Sequence, residues 1–102
     1  MPEHELDISK NIRTIEWLKS ELVSGVSSLF KAMLKANDET ILESLSSIII
    51  GCYVLARRLG LPFNRLDLRI SDTVRQNISN GHEVERWYGD LTALSRHLMD
   101  RK

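Results

Sequence analysis

Two runs of residues at helical spacing hold most of the chemistry this chain can offer. Glu21, Ser24 and Ser28 form one; Thr40, Ser44, Ser47 and Gly51 form the other. Two readings fit such runs. Small side chains let two helices approach closely, with the hydroxyls bonding back to the preceding turn. Packing is the commoner use of such runs, but the same residues would also line a polar pocket for a neutral ligand. Glu39 and Glu43 are a further acidic pair, four residues apart near a helix start, where the helix dipole favours negative charge. Arg65, Arg69 and Asp72, with Arg75 or Gln76, read as the solvated face of another helix.

Other reactive types are scattered. His4, His82 and His97 follow no ligand spacing, and His82 beside Glu83 and Glu85 reads as a surface turn. Trp17, Trp87 and Tyr88 have flat faces on which a base can stack, although packing in a core or interface is their commoner use. Cys52 is the single cysteine, so it forms no internal disulfide and completes no zinc knuckle; within the run Ile48–Ala56 it reads as a small buried hydrophobe. No Ser/His/Asp or Cys/His arrangement and no glycine-rich phosphate loop occurs. Nucleophilic catalysis has no support.

The elements that must position these residues are helices. Ile8, Ile12, Ile15, Leu18, Leu22, Val26, Leu29 and Met33 recur at steps of three or four, which predicts a helix over Ile8–Ala36 with Asp7 as its N-cap. A break near Trp17–Lys19 would divide it in two. Asn37 and Asp38 supply a stop and a fresh N-cap for a second helix over Glu39–Leu59, ended by Gly60 and Leu61-Pro62. This second helix is apolar almost all round between residues 48 and 56, so it is expected to be buried on several sides. Asn64 with Asp67 resembles a capping box opening a third helix that Asn80-Gly81 closes. A last stretch through Val84, Trp87, Leu91, Leu94 and Leu98 breaks at Gly89, with Asp90 capping the final helix. The expectation is one all-α domain over residues 1–102, a bundle of four to five helices around two long antiparallel ones, with residues 1–6 flexible.

The segment from Glu43 to Gly60, ESLSSIIIGCYVLARRLG, resembles the second core helix of the MazG-type nucleotide pyrophosphohydrolases. There an E-x-x-D motif opens an apolar helix that ends thirteen residues later in a turn like Arg58-Leu59-Gly60; Ser47 to Gly60 keeps that interval. Upstream, Leu18–Ser24 is similar to the family's E-E-x-x-E helix. The likeness covers roughly residues 8–80 and fits the subgroup called MazG-like. It implies an all-α fold and hydrolysis of nucleoside triphosphates to monophosphate and pyrophosphate, with Mg²⁺ held by four carboxylates on two facing helices. Carboxylates suit that task because Mg²⁺ demands hard oxygen ligands and offsets charge on the phosphates.

Carried onto this chain, the four ligand positions are Glu21, Ser24, Ser44 and Ser47, so one carboxylate of four remains. Ser20 stands where the family has an extra glutamate, and Glu43 is the candidate substitute carboxylate. The resemblance also makes Arg69, Asp72 and Arg75 candidate phosphate contacts. The expected function is a MazG-like module with an impaired site, serving binding or assembly and needing no cofactor. The alternative is an active Mg²⁺-dependent pyrophosphohydrolase with an unusual ligand set.

Composition bounds the rest. With 42% hydrophobic and 27% charged residues the chain is ordinary for a folded domain. Fourteen Lys/Arg balance fourteen Asp/Glu, which argues against nucleic acid as a partner because phosphate binding draws on a basic surplus. The start, Met1–Glu5, is acidic without an apolar signal region, and the apolar run Ile48–Ala56 is about half a membrane span. A cytoplasmic homodimer without membrane contact is expected, the second copy covering the apolar excess of the second helix.

Overall fold

The structure is a computed structural model that describes the backbone of residues 3–101 and the side chains of residues 7–101. It contains five helices and, among the described residues, no strand: α1 (Glu3–Lys35), α2 (Asp38–Arg58), α3 (Phe63–Ser79), α4 (Glu83–Tyr88) and α5 (Asp90–Asp100). The expected flexible lead over residues 1–6 lies partly outside the described residues, namely Met1, Pro2 and the side chains as far as Leu6. The chain divides into two compact units, Met1–Pro62 and Phe63–Lys102.

The first unit is a helical hairpin of α1 on α2. α1 runs unbroken through Trp17–Lys19 and starts well before Asp7, which therefore lies inside the helix and is not its N-cap. The early turns are tied down from across the hairpin, where the Asn11 side-chain amide donates to the Arg58 carbonyl at 3.0 Å. At the other end of α1 the amide of Asn37 donates to Ala32 O at 3.4 Å and that of Ala36 to Met33 O at 3.2 Å, with Ala36 at φ 51°. This is a Schellman stop in which alanine occupies the left-handed position that glycine usually fills. Asn37 then caps α2, its side-chain oxygen accepting from the Thr40 amide at 3.1 Å. Asp38 is thus the first helical residue and not the cap; both it and Glu39 sit in the first turn. α2 ends in a second Schellman stop: Leu61 N–H donates to Ala56 O at 2.9 Å and Gly60, at φ 85°, to Arg57 O at 3.0 Å.

Leu18, Ala32 and Ala56 are the buried apolar residues of this hairpin. Leu22, Leu29, Ile41, Ile48 and Leu55 are half-buried against the opposite helix. α2 is not buried on several sides as its composition predicts. Its helical packing partner within the unit is α1, so Leu42, Ile49 and Ile50 stay exposed, and so does Cys52. α2 is also long and apolar enough to cross a membrane by length and composition, whereas its densest apolar run alone is not.

In the second unit α3 packs on α5, and α4 on α5. α3 begins at Phe63, so Asn64 sits in its first turn and not ahead of it. Its buried contact is Val74, with Leu66, Ile70 and Ile78 half-buried on the same stripe. A third Schellman stop follows at Gly81, φ 67°, where His82 N–H donates to Asn77 O at 3.0 Å. His82 then caps α4, its ring Nδ1 accepting from the Val84 amide at 3.2 Å. Gly89, φ 68°, ends α4 and precedes α5, so Asp90 is the first residue of α5 and not its cap. The capping role falls to Glu85, whose carboxylate accepts from the Thr92 amide at 3.0 Å and from the Thr92 hydroxyl at 2.7 Å.

Candidate functional site

Between α1 and α2 lies a cleft of about 310 Å³. Glu21, Ser24 and Ser28 line it from α1, and Thr40, Glu43, Ser44 and Ser47 from α2, with Gly25 completing it. Residues three, four and seven apart share one face of a helix, so each run reaches the cleft as a single stripe. The four positions singled out by the family resemblance meet here, together with the substitute carboxylate Glu43. Ser20 and Glu39 are not part of the lining.

The helices touch beside this cleft through glycine. A Cβ placed on Gly25 would stand 3.0 Å from Ile48 Cγ1, and one on Gly51 would stand 3.0 Å from Leu22 Cδ2. Gly25 had a signal in the sequence, since glycine inside a helix costs about 1 kcal/mol relative to alanine and needs a packing reason. The hydroxyls behave differently from the back-bonding expected of them. Thr14 bonds back to Lys10 O at 2.8 Å, but no such bond is made among the described residues by Ser24, Ser28, Thr40, Ser44 or Ser47. Close approach is therefore the work of the glycines, and the hydroxyls are left to the cleft.

The electrostatics are one-sided. Glu21 and Glu43 make no ion pair among the described residues, and no basic side chain lines the cleft. Ser44 is the buried polar residue, 7% exposed, and its hydroxyl has no hydrogen-bond partner among the described residues. No buried side-chain oxygen or nitrogen is sealed off without a partner, so the Ser44 oxygen keeps its access through the cleft.

The Mg²⁺ that the resemblance implies does not fit this lining well. No group of three or more His, Cys, Asp or Glu that could hold a metal occurs among the described residues. The cleft offers two carboxylates and neutral hydroxyls, and a serine replaces neither the charge nor the donor strength of a carboxylate.

The remaining candidates lie in the second unit. On α3, Arg75 and Asp72 pair with each other at 2.6 Å, both more than half exposed, and Arg69 is exposed. An exposed pair of this kind contributes roughly 0–1 kcal/mol and reads as a solvated helix face. Trp87 and Tyr88 meet edge to face with ring centres 6.4 Å apart, and both are exposed, as is Trp17 in the first unit. His97 is exposed on α5.

A family model described as the MazG-like family matches residues 8–91. Neither the curated proteins nor the solved structures gave a match.

Proposed function

This chain belongs to the MazG-like family, and from that premise we propose that it is a member whose hydrolytic site is impaired, serving as a binding or assembly module. The fold is that of the nucleoside triphosphate pyrophosphohydrolases. The observation that carries the reading is the lining of the cleft: serine stands at three of the four positions where the resemblance puts metal-binding carboxylates, Ser24, Ser44 and Ser47. A neutral hydroxyl gives little electrostatic attraction for a divalent cation, so triphosphate and metal have weak purchase. The module works as a cytoplasmic homodimer, joined through the apolar flank of the hairpin.

The test is pyrophosphate release over a panel of nucleoside and deoxynucleoside triphosphates with Mg²⁺ and Mn²⁺. No turnover, and no thermal shift with metal plus nucleotide, is the expected result. Turnover that Glu21→Gln abolishes would overturn it.

One observation favours a second reading. Glu43 lines the same cleft as Glu21, giving one carboxylate on each helix. Mg²⁺ can be held by one or two carboxylates plus substrate phosphates. An active pyrophosphohydrolase with nucleotide substrate would then lose turnover in both Glu21→Gln and Glu43→Gln.

A further inference from the structure

We propose that Asn80 is a site of self-modification, at which the folded chain converts its own asparagine to isoaspartate and aspartate with water as the co-reactant. The backbone nitrogen of Gly81 loses its proton and attacks Cγ of the Asn80 side chain. The new C–N bond closes a succinimide ring, and the side-chain amide leaves as ammonia. Water then opens the ring at either carbonyl. Cleavage at the main-chain carbonyl carbon leaves the backbone running through the side chain, as isoaspartate; cleavage at Cγ leaves ordinary aspartate. In balance, one amide and one water become one carboxylate and one ammonium, with no change of oxidation state.

The fold singles out Asn80 among the five asparagines of the chain. It alone precedes glycine, which has no Cβ to crowd the attacking nitrogen. The Asn11 side chain is held by the Arg58 carbonyl and that of Asn37 by the Thr40 amide, while Asn64 and Asn77 lie within α3. Asn80 follows the last residue of α3, is exposed, and its side-chain amide has no hydrogen-bond partner among the described residues. A Cβ placed on Gly81 would meet nothing within 4 Å, so nothing is packed against this turn. The Gly81 N–H donates to Ile78 O at 3.1 Å and must leave it before the attack. That bond lies at a helix end, where local opening costs least.

The turn is also where the product does most to the fold. Isoaspartate adds one carbon to the backbone just before Gly81. The stop made by Gly81 N–H on Ile78 O and His82 N–H on Asn77 O then loses its register. His82 is displaced with it, and its ring no longer caps α4 through the Val84 amide. α4 has six residues and none of them is buried, so little else holds it in place. Either product also puts a negative charge at the C-terminal end of α3, where the helix dipole disfavours it.

The test is incubation of the full chain in mildly alkaline buffer, with intact-mass and peptide-map readouts and an acidic control. A gain of one mass unit is expected in the peptide spanning Asn80 and Gly81, faster in alkali, with isoaspartate the major product. Asn80→Ser should abolish the gain, and Gly81→Ala should slow it about tenfold by restoring a Cβ. A urea-unfolded sample of the same chain shows the rate without the fold. Amide exchange at Val84 should quicken in the converted protein and stay unchanged in Asn80→Ser incubated alongside. No gain in the folded chain while the unfolded chain converts would overturn the proposal. So would earlier conversion at another asparagine, or a rate indifferent to Gly81→Ala. Conversion that leaves Val84 exchange unchanged would refute the consequence drawn for α4.

Discussion

Ala36 is the one described residue other than glycine with a positive φ, 51°, and it sits at a helix stop that glycine fills at Gly60 and Gly81. An L-residue in the left-handed region is strained by about 1–2 kcal/mol, whereas glycine occupies it freely. Ala36→Gly is therefore expected to stabilise the hairpin by about 0.5–1 kcal/mol, once the greater freedom of glycine in the unfolded chain is set against the relief. A rise in the urea midpoint with an unchanged slope is the measurement, and a fall would show that the turn is held in another way. The opposite sign is expected at Glu85. Its carboxylate holds both the amide and the hydroxyl of Thr92, so Glu85→Ala leaves the first turn of α5 without that cap. A loss of about 1 kcal/mol is expected, read from the same unfolding curves or from faster amide exchange at Thr92.

At the scale of the element, the two helices of the hairpin are set by glycine contacts that differ in what they meet. At Gly25 the neighbour is Ile48 Cγ1, part of a β-branched side chain with few alternative rotamers. At Gly51 it is the Leu22 Cδ2 methyl, the free end of a flexible side chain. Gly25→Val should overpack the crossing and destabilise by about 1–3 kcal/mol. Gly51→Ala, with a methyl that can swing aside and about 1 kcal/mol of helix propensity gained, should change stability little. Equal losses in the two variants would refute this account of the crossing.

Much of this arrangement was legible in the sequence because helical spacing is a strong signal. The runs Glu21/Ser24/Ser28 and Thr40/Ser44/Ser47 were readable as stripes, and two stripes on facing helices must meet. Helix ends were less so. Asp7, Asp38, Asn64 and Asp90 each have the chemistry of an N-cap, yet the helices start earlier or are capped by Asn37 or Gly89, because several competent residues stand within a turn of each start. Burial was the other gap. Periodicity tells which residues share a face but not whether anything covers it, so Cys52 and Ile49 were expected inside and are exposed. The free hydroxyls of the cleft were equally hidden, because whether a serine bonds back to its own helix depends on its rotamer and not on spacing.

The whole molecule turns on a regularity in the hairpin. Six of the eight cleft residues are followed two positions later by an exposed apolar one, Gly25 and Ser44 being the exceptions: Val23 after Glu21, Val26 after Ser24 and Phe30 after Ser28 on α1. On α2, Leu42 follows Thr40, Leu45 follows Glu43 and Ile49 follows Ser47. Two residues are about 200° apart around a helix of 3.6 residues per turn, so each helix is polar on one flank and apolar on the other. No large side chain among the described residues is fully buried, so the hairpin has an apolar flank and little core of its own. A patch of this kind marks an interaction surface. In the proposed homodimer a second copy would cover this flank, apolar flank on apolar flank, with the clefts left outward and open. Light scattering at micromolar concentration should give twice the 11.7 kDa of one chain. Phe30→Glu or Ile49→Glu, which would bury a charge in that interface, should shift the mass to a single chain while leaving the helical far-UV circular dichroism in place. A monodisperse wild-type monomer would refute the dimer. Flotation of the wild-type chain with anionic vesicles, lost in Ile49→Glu, would instead assign the apolar flank, and the length and apolar character of α2, to a lipid surface.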